Sequence, residues 1–172
     1  MNTLDLVFFN DKPSRVKRYL VTPKKWNRVG IILNNPTWLH PGLHGTYVWE
    51  MCGCKYGTSI TPYDECIKNY MGQVYIRKST VNQADLGLVT DMLVKEPRNT
   101  IRDYFQFKQD DKLDETFWNP GFVSYVLCKM KYLNFHGIKW NTITTKDFTP
   151  GGKVEKYLLP GLEYGDKLDK IY

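Results

Sequence analysis

The 172-residue sequence lacks the features of a membrane-spanning or exported chain. No stretch approaches the roughly 18 consecutive apolar residues that a helix needs to cross a bilayer. The first residues, Met-Asn-Thr-Leu-Asp, have neither the basic segment nor the long apolar run of a signal peptide. We therefore expect a cytoplasmic or virion location, no secretion through a signal peptide and no transmembrane segment. The four cysteines are then expected to stay reduced.

The sequence also lacks a convincing set of metal ligands. His40 and His44, followed by Cys52 and Cys54, are weak candidates for a zinc site, because zinc favours a tetrahedral shell of Cys and His. Cys-x-Cys is tighter than the usual spacer, and the proline and glycine between the histidines prevent a shared helical face. Loop histidines and ordinary cysteines are the expected interpretation, so we predict no metal.

No internal repeat, low-complexity block or basic stripe is present. The net charge of +6 comes from scattered residues, with small groups at Arg15–Arg18 and Lys24–Lys25. Nucleic-acid binding domains usually show a clustered basic patch, so we expect solvated surface charge and no nucleic-acid partner. Gly151-Gly152-Lys153 lacks the glycine spacing and the following Ser or Thr of a phosphate loop, and we predict no cofactor.

Hydrophobic residues make up 42% of the chain and aromatic residues 15%, which is typical of one folded domain with a core. Short apolar or alternating segments predict strands, and two of them, Arg28–Leu33 and Thr46–Met51, should pair as a hairpin across the loop Trp38–Gly45. The other predicted strands are Leu4–Phe9, Ser59–Thr61 and Gln73–Lys78, and the predicted short helices are Pro62–Tyr70, Asn82–Glu96 and Asn99–Phe107.

One longer helix is the best-defined element. Its apolar residues recur at helical spacing and form one wide stripe that should be buried. Asn119 is a favourable N-cap and Pro120 a favourable first helical residue, so the helix is expected to begin there. The stripe consists of Phe122, Val123, Val126, Leu127, Met130 and Leu133.

The order of several motifs resembles a known superfamily. Leu4–Phe9 (LDLVFF) comes first, followed by Trp26–Ile32 (WNRVGII), a strand ending in Val48-Trp49-Glu50, and then Gly57-x-x-Ile60-x-Pro62-Tyr63-Asp64. Far downstream comes Phe117–Leu127 (FWNPGFVSYVL). This order is similar to the permuted branch of the NlpC-type papain-like superfamily. That branch includes lecithin:retinol acyltransferase-like proteins, YiiX-like bacterial proteins and virion proteins of large DNA viruses.

The resemblance covers residues 4 to about 149 and implies an α+β, permuted papain-like fold. In such a fold a small, mainly antiparallel sheet packs against a long helix, with additional short helices. The family pattern has His in His-Val-Gly-Ile, a polar residue on the next strand, and Cys at the start of the long helix. By position these residues fall on Arg28, Glu50 and Asn119, so two of the three do not match.

The substitutions remove the chemistry that the resemblance implies. Thiol catalysis needs a thiolate, which the carboxamide of Asn119 cannot provide. Arg28 has a pKa above ~12 and cannot accept a proton near neutral pH. Arg28 should instead face Glu50 across neighbouring strands, which favours an ion pair. Cys128 lies about 13 Å further along the helix axis and is expected to be a buried apolar thiol. Cys66 is expected to be structural or a surface thiol.

Residues 1–149 are thus expected to form the papain-like domain, with residues 150–172 as a C-terminal tail that lies either over a partner or over its own domain. The resemblance implies a catalytically inactive pseudoenzyme with a structural or interaction role among other proteins, such as a minor capsid or virion-associated protein. Two alternatives stay open. One is an active thiol hydrolase or acyltransferase with a displaced catalytic set. The other is a lipid- or peptide-binding module that uses a residual pocket walled by Trp118 and Trp26.

Overall fold

The computed structural model describes residues 1–10, 26–51, 58–68, 70–81 and 115–172, together with the helical positions 87, 89 and 91. Those three positions agree with the predicted helix Asn82–Glu96, the rest of which lies outside the described residues. The predicted helix Asn99–Phe107, both small basic groups and the two cysteines of the zinc hypothesis, Cys52 and Cys54, also lie outside them.

A six-stranded antiparallel sheet forms the centre of the described part of the chain, with strands in the order β4-β3-β2-β1-β5-β8. A second ladder pairs β6 with β7. The predicted hairpin is confirmed, because Ile31 lies opposite Trp49 and Asn34 opposite Thr46. The strands are β1 Leu6–Asn10, β2 Arg28–Asn34, β3 Thr46–Met51, β4 Thr58–Pro62, β5 Gln73–Arg77, β6 Ser79–Val81, β7 Leu162–Tyr164 and β8 Asp169–Lys170.

The described helices are short apart from one. They are α1 Tyr63–Lys68, α2 Glu115–Lys129 and the 3₁₀ helices η1 Trp140–Thr142, η2 Thr145–Phe148 and η3 Lys153–Tyr157. None of the helices in the described part of the chain combines the length and the apolarity needed to cross a bilayer. Together with the sheet, these elements confirm the predicted α+β class with a mainly antiparallel sheet.

The predicted start of the longest helix is wrong. Helix α2 begins at Glu115, so Asn119 is not its N-cap and Pro120 lies inside it. A proline there forgoes one backbone hydrogen bond. The extra turn places Trp118 four residues before Phe122 on one helical face, where both side chains are buried in the core. We attribute the earlier start to this packing, which a capping signal alone does not reveal.

The two faces of the sheet bury different cores. On one face, which we call the α2 face, Trp49 meets Phe122 edge-on, with ring centroids 5.0 Å apart. On the opposite face, the α1 face, a smaller cluster packs around Tyr63 of α1. Because side chains alternate along a strand, odd-numbered residues of β2 and β3 belong to the α2 face and even-numbered residues to the α1 face. All six residues of the predicted apolar stripe are buried, but Met130 and Leu133 lie beyond the end of α2 at Lys129.

Residues 150–172 lie over their own domain, which was one of the two sequence alternatives. Strand β7 pairs with β6, and β8 extends the main sheet beside β5. Val154 and Leu162 are buried in the larger core. The segment therefore contributes strands and core residues to the same folded unit as the residues before it.

Arg77 forms hydrogen bonds and an ion pair that link residues 150–172 to the sheet. Its side chain is 2% exposed, and its guanidinium donates to the carbonyl oxygens of Phe148 at 2.7 Å and Gly165 at 2.8 Å. The same guanidinium forms an ion pair with Glu155 of η3. A buried guanidinium needs such partners, since an unpaired buried charge is costly. Sequence reasoning did not single out Arg77, because its partners lie more than seventy residues away.

Candidate functional site at the Arg28–Glu50 pair

Arg28 and Glu50 form the ion pair that the sequence led us to expect. Arg28 opens β2, Glu50 lies on the neighbouring β3, and the Nε and Oε2 atoms are 3.1 Å apart. Among the described residues neither atom has a well-oriented hydrogen bond, so the contact between the two side chains is an ion pair without an aligned N–H···O geometry. Gly30 lies between them on the same face, where an added Cβ would come within 2.9 Å of Val48.

The environment of the pair is asymmetric. Glu50 is 8% exposed, whereas the side chain of Arg28 is 36% exposed and covers the ring of Phe9 at 4.0 Å. Burial raises the pKa of the Glu50 carboxyl above its ordinary value, and the charge of Arg28 lowers it only in part. The charge of Arg28 therefore offsets part of the cost of burying the Glu50 carboxylate.

Cys66, expected from the sequence to be a structural or surface thiol, packs against the core on the same face of the sheet. The residue lies on α1, and the charges of Glu50 and Arg28 both influence the pKa of its thiol, which sequence reasoning did not foresee. Burial and then the Glu50 carboxylate raise the pKa of the Cys66 thiol to about 11, while Arg28 and a hydrogen bond with the Thr61 side chain offset part of the shift. The register of β3 could have indicated this placement, because it directs the Glu50 side chain to the face of the sheet that α1 covers.

The chemistry available to this cluster is limited. A thiol with a pKa of about 11 is almost entirely protonated at neutral pH, so it is a poor nucleophile. The guanidinium cannot take up its proton, and the Glu50 carboxylate is already paired with that guanidinium. Burial and the Glu50 charge thus favour the protonated form of the Cys66 sulfur at neutral pH.

Asn119 does not join this cluster. Its helix packs on the α2 face, whereas Arg28 and Glu50 project from the α1 face. No hydrogen bond or ion pair links Asn119 to either residue, and its Oδ1 atom is buried without a hydrogen-bond partner among the described residues. The structure brings two of the three family positions together and leaves the third on another face of the sheet.

The remaining candidates are placed as follows. Trp118 is buried in the larger core, and Trp26 packs edge-on against Phe8 and Tyr75, with centroid distances of 5.6 Å and 5.1 Å. Both lie on the α2 face, and their role as walls of a residual pocket stays a prediction. Burial raises the pKa of the Cys128 thiol to about 12, in agreement with the expectation of a buried apolar thiol.

The histidines of the zinc hypothesis lie in the loop between β2 and β3. Both His40 and His44 are exposed, and the Nδ1 atom of His40 accepts a hydrogen bond from the backbone N–H of Gly42 at 3.1 Å. That bond occupies one of the two ring nitrogens through which His40 could bind a metal. Within the described ranges, no three His, Cys, Asp or Glu side chains are grouped as metal ligands would be.

No protein-family model and no curated protein matches this chain. The residues themselves therefore carry the functional argument.

Proposed function

We propose that this protein is a catalytically inactive member of the permuted papain-like, NlpC-type superfamily and acts as a structural or interaction protein. A minor capsid or virion-associated role is the specific form that the resemblance suggests. The fold proposal draws support from the antiparallel sheet, from α2 packed on one of its faces, and from the order of the motifs along the chain.

The Arg28–Glu50 pair is the observation that carries this proposal. The family pattern has a histidine, which titrates near neutral pH, where this chain has Arg28. Arg28 instead holds a permanent charge 3.1 Å from Glu50. The pair is a stable electrostatic element at a position where the family pattern needs a titrating group. Because Asn119 lies on the other face, the proposal rests on this pair and not on a cleft shared by all three positions.

One observation favours the rival function, a thiol enzyme with a displaced catalytic set. Cys66 lies beside a carboxylate and a guanidinium, and charged neighbours are common around catalytic cysteines. These surroundings disfavour activation of the thiol, because burial and Glu50 raise its pKa more than Arg28 lowers it, which keeps the sulfur protonated. We therefore rank the interaction role above the enzymatic one.

A thiol-directed activity probe separates the two functions. The purified protein is treated with a fluorescent acyl electrophile at neutral pH, with and without excess amide, ester and lipid substrates. Labelling is read by intact mass for the wild type and for Cys66→Ser, with Cys128→Ser as the matched control. The proposal predicts labelling no faster than that of a free cysteine and unaffected by substrates. Rapid labelling that disappears in Cys66→Ser and is suppressed by a substrate would establish the enzyme instead.

A further inference from the structure

Six exposed lysines lie between the end of α2 and the end of η3, on chain segments that contact one another. We call this set the lysine surface. Because the chain between residues 129 and 158 contains no arginine, lysine alone supplies its fixed positive charge. The members of the lysine surface are Lys129, Lys131, Lys139, Lys146, Lys153 and Lys156.

Backbone contacts bring the two halves of this surface together. Leu133 forms a bridge with Leu158, and the N–H of Asn134 donates to the carbonyl oxygen of Tyr157 at 2.8 Å. The hydroxyl of Tyr157 donates to the carbonyl oxygen of Gly137 at 3.1 Å. The segment that carries the lysines at 131 and 139 therefore runs beside the segment that carries the lysine at 156. Helix η2 approaches η3, since Lys153 Nζ lies 4.0 Å from Asp147 Oδ1.

The acidic side chains of the same region are occupied inside the fold. Asp147 and Glu155 are the only acidic residues between positions 129 and 158. Asp147 is buried and accepts hydrogen bonds from the backbone N–H and the hydroxyl of Thr144, at 2.8 Å and 2.9 Å. Glu155 is paired with the buried Arg77 and also accepts from the N–H of Gly151. In this stretch of the sequence six lysines thus stand against two acidic residues, and one of the lysines, Lys153, lies 4.0 Å from Asp147.

The chemistry of the lysine surface selects the kind of partner. Lysine is a hydrated point charge that suits phosphate groups without fixed geometry, and it is depleted at the centres of protein–protein interfaces. The large apolar side chains exposed in the described residues, Met1, Met71, Ile171 and Tyr172, all lie outside this region, so it offers no anchor for insertion into a bilayer. We propose that the lysine surface binds the phosphate backbone of nucleic acid without reading its sequence.

This inference is independent of the proposed loss of catalysis, and it departs from the sequence expectation that no nucleic acid is bound. Along the chain the six lysines are separated by one to seven intervening residues, which is why no basic stripe is visible in the sequence. The fold gathers them by pairing the segment after α2 with the segment around η3.

Fluorescence anisotropy with a short labelled DNA duplex tests the proposal on the full chain. The double variant Lys131→Glu/Lys156→Glu is compared with the wild type over a series of salt concentrations. The matched control is Lys167→Glu/Lys170→Glu, which makes the same change in net charge at exposed lysines outside the lysine surface. Thermal unfolding of each protein shows whether the variants are folded.

The wild type should bind, with affinity falling as salt rises. Each lost phosphate contact should reduce the slope of log K against log salt by about 0.9, so the lysine-surface variant should lose about 1.8 of slope and roughly tenfold or more in affinity. The control should retain most of its binding. The inference fails if the duplex does not bind at low salt, if both double variants weaken binding equally, or if vesicles of anionic lipid or an acidic peptide bind this surface more tightly than DNA does.

Discussion

Replacing Arg28 with methionine removes the charge beside Glu50 while keeping an unbranched side chain over Phe9. Removing one partner of a buried ion pair usually costs about 3–5 kcal/mol, because the other charge stays behind. Arg28 is 36% exposed, so water already screens the pair, and we expect about 1–3 kcal/mol instead. Loss of the contact between the guanidinium and the Phe9 ring adds about 0.5–1 kcal/mol that does not depend on pH.

The larger part of this cost should depend on pH, and its sign follows from the pKa of Glu50. In the unfolded chain the carboxyl titrates near its ordinary value of 4.5, and burial raises the pKa in the folded protein. The folded state thus binds the proton more tightly. This tighter proton binding stabilises the folded protein fully at pH values below the pKa of Glu50 in the unfolded chain. The stabilisation is lost as the pH rises through the pKa of Glu50 in the folded protein. Without Arg28 the folded pKa rises further, so the variant loses more stability than the wild type between pH 4.5 and neutrality.

Urea unfolding followed by tryptophan fluorescence measures this difference at about pH 4 and about pH 8. We expect Arg28→Met to lie within about 1 kcal/mol of the wild type in acid and to fall further below it at the higher pH. In a Glu50→Gln background the same substitution should cost nearly the same at both pH values, because the titrating group is gone. A cost that is equal at both pH values in the wild-type background would refute the reasoning.

Four further substitutions test the fold around the site, each by denaturant unfolding. Arg77→Met should lower the free energy of unfolding by about 3–5 kcal/mol, since two carbonyl groups and Glu155 lose their buried partner. Glu155→Gln should lower it by only about 1–2 kcal/mol. Equal effects of the two substitutions would contradict the claim that the guanidinium contributes more than its ion pair with Glu155. Gly30→Ala should cost about 1–3 kcal/mol, because the new Cβ would meet a methyl carbon of β3 at 2.9 Å, and a neutral result would show that the strand can shift. Phe122→Ala should cost about 3–5 kcal/mol, and a cost below 1 kcal/mol would argue against the packing of α2 on the sheet.

Much of the sheet could be predicted from the sequence. Thr46–Met51 alternates between apolar and polar residues and β2 is a short apolar run, and both patterns predict strands. The hairpin and its polar residue Glu50 could therefore be predicted from the sequence. The ion pair followed from the same step, because adjacent antiparallel strands place Arg28 and Glu50 on one face. Local patterns of this kind do not depend on distant parts of the chain.

Other features depend on distant contacts and could not be predicted. The start of α2 was misplaced because Pro120 is a strong local signal, whereas burial of Trp118 is a tertiary effect. The place of Cys66 depends on which face of the sheet α1 covers. The lysine surface depends on a bridge between Leu133 and Leu158. Each of these features becomes visible only when the elements have been packed together.

The pKa of the Cys66 thiol is the most direct test of the claim that this protein has no active nucleophile at its charged pair. It can be measured from the rate of alkylation of Cys66 as a function of pH, with peptide mapping to separate it from the other cysteines. We expect a pKa of about 11 for the Cys66 thiol in the wild type and a lower pKa in Glu50→Gln, since the Glu50 carboxylate contributes to raising it. A thiolate already present at neutral pH, reacting faster than a free cysteine, would contradict it.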